Sequence, residues 1–383
     1  MTNKDANKKT WEEIEELTLA PYAQKTINSQ GRKFKEEEHP FRSPYQRDRD
    51  RIVYSPAFRR LEYKTQVFVS YKGDHYRTRL THTIEVAGIS RTIARTLRLN
   101  EDLTEAIALA HDIGHSPFGH SGEDTLNKLM KNDGGFNHNV QSLRIVEKLA
   151  QKYPTFSGLN LTYEVKRGLM KHKHDIRNAD YEKDPNLDLK TTILEAHIAD
   201  LADEIAYNSH DMDDALEYGM LTEKDLEHIA IWKETYQQIK KEFPLISKRM
   251  QRLYTIRTII DTVVTDLLIT SLKQIEKLNI QSQEDVLNSQ EDIICFSPEI
   301  AQMNKELKKF LLANFYEHPA ILKKKKEGQE ILEFLFEIHL KDPSLFLKNP
   351  DKIQNMRRVV CDYIAGMTDR FVYQEYERLK DIG

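Results

Sequence analysis

One stretch decides the fold of this chain: Ala108-Leu109-Ala110-His111-Asp112-Ile113-Gly114-His115-Ser116-Pro117-Phe118-Gly119-His120-Ser121-Gly122-Glu123. An apolar helical run leads directly into three histidines and two carboxylates. The adjacent pair His111-Asp112, at the buried end of that helix, can present an imidazole nitrogen and a carboxylate oxygen to one point. This mixed donor set suits a borderline or hard divalent metal ion, namely Mn, Fe, Co, Ni, Zn or Mg.

The residues after the pair extend the same pattern. His115 follows His111 by four positions and shares its face on a continuing helix. Glycine and proline residues then break the helix, which lets His120 and Glu123 turn back toward the same point. A single His-Asp pair is more often a surface or capping pair, so a metal site requires further ligands from elsewhere in the chain.

Composition restricts the possible classes of function. The chain has 383 residues, 31% charged and 39% hydrophobic, which fits a globular protein of one large or two ordinary domains. Its 57 Lys and Arg oppose 61 Asp and Glu, for a net charge of −4, so any anion must be bound by a local cluster of cations. We expect no signal peptide and no membrane span. Cys295 and Cys361 form no CxxC motif, and we expect reduced thiols in a cytoplasmic protein.

Amphipathic helical periodicity runs through most of the chain and predicts an all-α fold. No run alternates strongly enough for a sheet, and 14 Gly and 12 Pro are few for an all-β protein. We divide the chain into an N-terminal arm (1–44), a catalytic core (45–220) and a C-terminal helical region packed on that core (221–383). In that last region we expect long helices near 222–241, 246–276, 298–315, 328–340 and 350–380.

Two further residues are natural candidates to complete a metal site. His82 lies 29 positions before His111, a separation that allows one helix to return antiparallel, and it falls in the first turn of a predicted helix. Asp203 lies on a later helix whose other face is apolar, so its carboxylate faces inward or toward a partner. Taken alone, His82 would more often be a capping or core residue, and Asp203 part of a solvated face. Together with His111 and Asp112 they form a set of four with room for water or substrate.

The ordered motifs resemble the bacterial dGTPase family within the HD-domain phosphohydrolases. The resemblance covers roughly residues 30 to 380 and rests on these segments: 58–68 (FRRLEYKTQVF), Arg79 with His82, 111–123 (HDIGHSPFGHSGE), 134–142 (GGFNHNVQS), 159–162 (LNLT), 203–207 (DEIAY) and 362–369 (DYIAGMTD). It implies an HD-domain helical bundle. It also implies a metal-dependent enzyme that hydrolyses a deoxynucleoside triphosphate, with dGTP among the substrates, to the deoxynucleoside and triphosphate.

Two other functions remain open. One is a different HD-type nucleotide phosphohydrolase, although the segments 64–68 and 117–120 are not part of that pattern. The other is a module that senses dNTPs or nucleic acid with weak catalysis. Family analogy suggests a homo-oligomer, either a dimer or a hexamer.

Hydrolysis at the α-phosphorus expels a poor 5′-alkoxide leaving group, so a proton donor is needed beside it. His115, His120 and His138 are the candidates, because an imidazole titrates near neutral pH. By the family pattern His120 and Glu123 form the catalytic pair, while His115 and His138 approach the phosphates. Which histidine donates the proton is not settled by the sequence.

Substrate binding requires cations for the phosphates and a surface for the sugar. We expect Arg79 to contact the α-phosphate, with Lys171 as the second choice. The resemblance assigns four residues to sugar binding: Gln66, Val67, Tyr207 and Asp211. Gln66 and Asp211 can bond a 3′-OH, and Tyr207 can stack beneath the deoxyribose.

Two segments have no assigned role. The basic run 323–326 is most simply a solvated loop, with weak nucleic-acid or nucleotide binding as the alternative. Residues 362–369 either close the pocket or form a subunit contact.

Overall fold

The computed structural model describes residues 10–66, 77–170, 187, 193–350 and 353–381. Within those ranges the chain is helical and contains no β-strand; its only ladder-like contacts are isolated bridges between Arg32 and Thr162 and between Thr65 and Thr78. The predicted all-α class is confirmed.

Nine α-helices are described before residue 220: α1 (Trp11–Thr18), α2 (Pro44–Val53), α3 (Pro56–Arg60), α4 (Arg79–Thr96), α5 (Glu101–Ala110), α6 (Gly119–Leu129), α7 (His138–Arg144), α8 (Tyr163–Gly168) and α9 (Leu194–Glu217). Serine side chains cap two of them, α2 and α3. The side chain of Ser55 accepts a hydrogen bond from the Phe58 backbone N–H, with Pro56 as the first residue of the helix.

Seven more α-helices are described after residue 220: α10 (Ala230–Glu242), α11 (Lys248–Lys277), α12 (Gln283–Asn288), α13 (Pro298–Leu311), α14 (Pro319–Lys341), α15 (Met356–Ala365) and α16 (Asp369–Leu379). Short 3₁₀ turns (Thr26–Asn28, Leu61–Tyr63, Pro343–Leu345) and π turns (Ile145–Leu149, Leu312–Tyr316) connect or extend these helices.

Two expectations for the C-terminal region are wrong. The predicted helix 350–380 is two helices, because the chain turns at Gly366 and Thr368 caps a new helix by accepting from the Phe371 N–H. The basic run 323–326 is not a loop but part of α14, which begins after His318 with Pro319 in its first turn. There Lys324 pairs with Glu327 one turn further on, at 2.9 Å.

The region around the His-Asp segment is organised around α4, α5 and α9, which pack against one another. Helix α5 is buried along most of its length, with Leu103, Ile107 and Ala110 fully excluded from solvent. A separate apolar cluster joins α6 to α14, α15 and α16, and includes Phe118, Leu126, Leu332, Ile364 and Val372. The C-terminal region therefore packs directly on the helix that follows the His-Asp segment. The division at residues 44 and 220 remains a prediction.

Candidate active site

Three helices bring the four predicted metal ligands together. His82 lies in the first turn of α4, His111 and Asp112 follow the end of α5, and Asp203 lies within α9. The Asp203 Oδ1 atom lies 3.0 Å from His82 Nε2 and 3.6 Å from His111 Nε2. His111 Nε2 lies 3.3 Å from Asp112 Oδ1. Metal–ligand bonds of about 2.1 Å separate neighbouring ligand atoms by about 3.0 Å at right angles and about 3.4 Å in a tetrahedron. These three distances are in the range expected for neighbouring ligands of one ion, and His82, His111 and Asp112 offer ligand atoms that all lie within 4.8 Å of one another.

Hydrogen bonds at the Nδ1 atoms of His82 and His111 leave the Nε2 atoms of both imidazoles facing the point where the four candidate ligands meet. His111 Nδ1 lies 2.6 Å from the Ala108 carbonyl oxygen, to which it donates. His82 Nδ1 lies 3.2 Å from His210 Nδ1, and His210 Nε2 lies 2.7 Å from Glu85 Oε2. In the consistent proton assignment, His82 donates to His210 and His210 donates to Glu85. Such outer partners fix the tautomer and orientation of metal-ligating histidines.

The sequence reasoning missed His210 and Glu85. Glu85 lies one helical turn after His82 on α4, and His210 lies two turns after Asp203 on α9. That spacing on both helices is the signal that would have found them, but only once the two helices are known to pack face to face. Burial lowers the pKa of His210 to about 4, so this imidazole is neutral at pH 7 and can take part in the hydrogen-bonded chain.

Asp112 is ionised, as a metal ligand must be. Burial acts to raise the pKa of Asp112, but His111, Arg79 and His115 outweigh burial and hold the pKa well below its usual value. The Asp112 Oδ2 atom accepts a hydrogen bond from Arg79 Nη1 at 2.8 Å, which leaves Oδ1 facing the histidines. Arg79 is the residue expected to contact the α-phosphate. It is only 2% exposed, and in the structure its guanidinium group pairs with Asp112.

Gly114 lets α7 approach the turn that carries the His-Asp pair. A Cβ atom at this position would lie 2.2 Å from both the His138 carbonyl oxygen and the Ser142 backbone nitrogen. Ser142 Oγ accepts from the Gly114 N–H and donates to the His111 carbonyl oxygen, at 2.9 and 3.1 Å. Because only a glycine fits here, the spacing between the metal ligands and His138 is set by the backbone itself.

The three remaining histidines of the motif lie beside this centre. The rings of His115 and His138 stack at 3.9 Å, and the His120 ring lies 5.6 Å from His115. Glu123 is closer to His138, at 2.9 Å, than to His120, at 3.5 Å. Burial acts to raise the pKa of Glu123, but hydrogen bonds from His120 and His138 hold it well below its usual value. Glu123 thus serves both histidines.

His115 and His138 also lie near Asp112, but this second group is a poor metal site. The two rings are within 15° of parallel and directly stacked. An imidazole binds a metal through a lone pair in its ring plane, and the in-plane lone pairs of stacked rings do not converge on one point. Burial and the nearby Arg79 charge also lower the pKa of His115 well below its usual value, so it is a neutral hydrogen-bonding group.

The predicted sugar-binding residues contain buried polar atoms that lack partners within the described residues. Neither carboxylate oxygen of Asp211 accepts a hydrogen bond there, and neither does Gln66 Oε1. Burial, with the Asp214 charge, raises the pKa of Asp211 well above its usual value. Burial likewise raises the pKa of Tyr207, which keeps its phenol protonated. Unpaired buried polar groups of this kind are unfavourable unless a ligand or water satisfies them. The other two predicted contacts, Val67 and Lys171, lie outside the described residues.

Comparison with known proteins identifies two domain families in the chain. Residues 79–208 match the HD domain model, and residues 294–378 match the model of the phosphohydrolase-associated domain. None of the helices in the described ranges combines the length and apolarity needed to cross a membrane.

The chain is also similar to curated proteins along nearly its whole length. A Geobacter metallireducens protein is 45% identical over 95% of this chain and 96% of its own, and a Bordetella pertussis protein is 44% identical over 95% and 97%. A Leptospira interrogans protein is 46% identical over 94% of this chain and 96% of its own. All three carry the name deoxyguanosinetriphosphate triphosphohydrolase-like protein. The chain belongs to this family of deoxyguanosinetriphosphate triphosphohydrolase-like proteins, as its sequence motifs predict.

Proposed function

We propose that this protein is a metal-dependent dNTP triphosphohydrolase, which converts a deoxynucleoside triphosphate and water to the deoxynucleoside and inorganic triphosphate. One observation carries the proposal above all others. His82, His111, Asp112 and Asp203 converge with ligand spacing, with both imidazole Nε2 atoms left facing the centre by hydrogen bonds at Nδ1. The family name and the HD domain support the same reaction.

The four side chains would hold a divalent ion such as Mn, Mg, Fe, Co, Ni or Zn. When bound, such an ion supplies Lewis-acid polarisation of a phosphate oxygen and lowers the pKa of a water molecule. Arg79 keeps Asp112 ionised and oriented, because their side chains pair at 2.8 Å in a buried setting. The outer pair of His210 and Glu85 orients His82.

His120 is the proton donor to the leaving 5′-oxygen in this proposal. Water adds to the α-phosphorus and loses a proton to solvent, the bond from phosphorus to the 5′-oxygen breaks, and that oxygen takes a proton from His120. The His120 side chain is 62% exposed, so it can exchange protons with solvent after each turnover, whereas His115 is buried and stacked on His138. Glu123 orients both His120 and His138. His115 and His138 then serve as hydrogen-bonding groups for the phosphate oxygens.

The sugar is recognised by Asp211, Gln66 and Tyr207. The Asp211 carboxyl group and Gln66 Oε1 are buried acceptors that the described residues leave unpaired, and a 3′-OH would satisfy one of them. Tyr207 lies one turn after Asp203 on α9, beside the metal ligand, and its ring supports the deoxyribose face that a 2′-OH would crowd. We therefore expect deoxynucleotides to be preferred over ribonucleotides.

The test is a product analysis. Purified protein is incubated with each dNTP and each candidate metal ion, and ion chromatography separates triphosphate from pyrophosphate and phosphate. Asp203→Asn, which keeps the side-chain volume but weakens a predicted ligand, is the control for contaminating phosphatases. We expect triphosphate from the wild type and none from the variant.

Other results would point elsewhere. Pyrophosphate or phosphate as the first product would identify another HD-type nucleotide hydrolase. Nucleotide or nucleic-acid binding without turnover would identify a sensing module. Family analogy further leads us to propose a homo-oligomer, a dimer or a hexamer, which light scattering on the eluted protein distinguishes.

A further inference from the structure

Phe118 has an unusual backbone conformation at the start of the helix that carries His120 and Glu123. Its φ of 61° and ψ of 23° lie in the left-handed region, which a bulky residue rarely adopts. Such a conformation persists only when the surrounding structure holds it in place. Because His120 follows two residues later, whatever fixes Phe118 also fixes the direction in which His120 leaves the backbone.

Asp369, in the first turn of α16, makes the contact that holds this residue. Its Oδ1 atom accepts a hydrogen bond from the Phe118 N–H and its Oδ2 atom accepts one from the Thr65 N–H, both at 3.0 Å. Asp369 is only 4% exposed. One carboxylate from the C-terminal region therefore joins the segment before His120 to the segment that carries Thr65 and Gln66.

Lys64 makes a second connection between the same parts. Its buried Nζ donates to the carbonyl oxygen of His115 and, at 2.9 Å, to that of Ala365 at the end of α15. The Lys64 carbonyl oxygen accepts from the Arg79 N–H at 3.0 Å. Residues 64 and 65 thus link the start of α4, the turn after the metal ligands and the C-terminal helices.

The C-terminal helices also hold the ring of Phe118. It meets the Tyr373 ring edge-on, with 5.5 Å between centroids. On α14, a Cβ atom added at Gly328 would lie 2.8 Å from Phe118 Cδ2, so this helix approaches the ring as closely as a glycine allows. Helices α14 and α16 therefore fix both the ring and the backbone N–H of Phe118.

We propose that Asp369 is a positioning residue for the reaction, and that through it the C-terminal helices hold the 116–120 segment in the geometry that places His120 beside the metal centre. This inference rests on the proposed function. It adds a role for the C-terminal region, which would form part of the framework that holds the active site. It also assigns the segment 362–369, whose Asp362 pairs within the chain with Arg144. Asp369 acts through Phe118 and Thr65 and does not contact any of the four predicted metal ligands.

Asp369→Asn is the sharpest test, because the volume is kept while one acceptor oxygen becomes an NH₂ group that faces a backbone N–H. Gly328→Ala presses on the Phe118 ring without changing any hydrogen-bonding group. The matched control is Asp133→Asn, which removes a carboxylate at the same junction, one that pairs with Arg357 at 2.8 Å and lies away from residues 116–120.

Four quantities are measured on the full-length protein: amide hydrogen exchange in peptides that cover 113–123, kcat, KM and Mn²⁺ affinity. We expect faster exchange in Asp369→Asn and Gly328→Ala but not in Asp133→Asn. In the first two variants kcat should fall about 10- to 100-fold, as a displacement of about 1 Å can cause, with Mn²⁺ affinity within about threefold of wild type.

Three results would overturn the proposal: unchanged exchange in Asp369→Asn, equal acceleration in Asp133→Asn, or faster exchange with wild-type kcat. If the wild type releases no triphosphate, the proposed function fails instead. The exchange data would then still decide whether Asp369 holds the segment.

Discussion

The substitution Gly114→Ala tests how tightly the backbone sets the active-site geometry. The added Cβ would lie 2.2 Å from two backbone atoms of α7, whereas ordinary contact begins at 3.4 Å, so 1.2 Å of separation is missing. Neither the His138 carbonyl nor the Ser142 nitrogen can rotate away, so α7 or the His-Asp turn must move as a unit. Overpacking of this kind costs about 1–3 kcal/mol of stability.

The displacement should lower catalysis as well as stability. A shift of about 1 Å between the metal ligands and His138 can lower the rate about 100-fold, which is about 2.7 kcal/mol in the activation free energy. Triphosphate release gives kcat, and urea unfolding gives the free energy of unfolding. Gly88→Ala on α4 is the matched control, because its Cβ would meet no atom within 4 Å. That control should keep full activity and gain up to about 1 kcal/mol of stability from helix propensity. Activity of Gly114→Ala within threefold of this control would refute the reasoning.

Three further substitutions address separate parts of the site. His210→Phe keeps an aromatic ring at this position but removes the hydrogen bond to His82, and should raise the dissociation constant for Mn²⁺ about 10- to 100-fold in a chelator-competition titration; an unchanged constant would exclude the proposed role of His210 in orienting His82. His120→Ala should lower kcat by about 100-fold or more with little change in KM, and a change confined to KM would reassign the residue to binding. Burial, opposed by the Asp369 charge, lowers the pKa of Lys64 to about 7, well below the value of about 10.4 in an unfolded chain. Between those two values the unfolded chain holds a proton that the folded chain lacks, so wild type should gain stability over Lys64→Met as pH rises above 7, by at most about 1.4 kcal/mol per pH unit. A difference between the two proteins that does not vary across this range in urea unfolding would contradict the assigned pKa.

The sequence was sufficient to predict the helical class. It also names four candidate ligands, which the structure places near one another and whose role as ligands remains a prediction. His111 and Asp112 form a local motif, and the helical periodicity around His82 and Asp203 indicates which face each side chain shares. Those features depend on short stretches of chain, and so they can be predicted without knowing how the helices pack.

Other features depend on contacts between distant parts of the chain. The pairing of His82 with His210 requires α4 and α9 to face each other, and the contact of Asp369 with Phe118 spans 251 positions. Arg79 was expected to bind phosphate, but its pairing with Asp112 depends on the packing of α4 against the end of α5. The spacing of Glu85 and His210 along their own helices becomes informative only once α4 and α9 are known to face each other, and the contacts of Asp369 and Arg79 leave no local signal in a single sequence. This explains why these residues or pairings were missed.

Elemental analysis tests the metal centre most directly. The protein is purified without chelator, and its metal content is compared with that of the double variant His111→Ala/Asp203→Ala, whose folding is checked by circular dichroism. We predict about one divalent transition-metal or magnesium ion per wild-type chain and none in the folded double variant. A wild-type chain that holds no ion and takes up none on titration, or a double variant that keeps its ion, would contradict the four-ligand site.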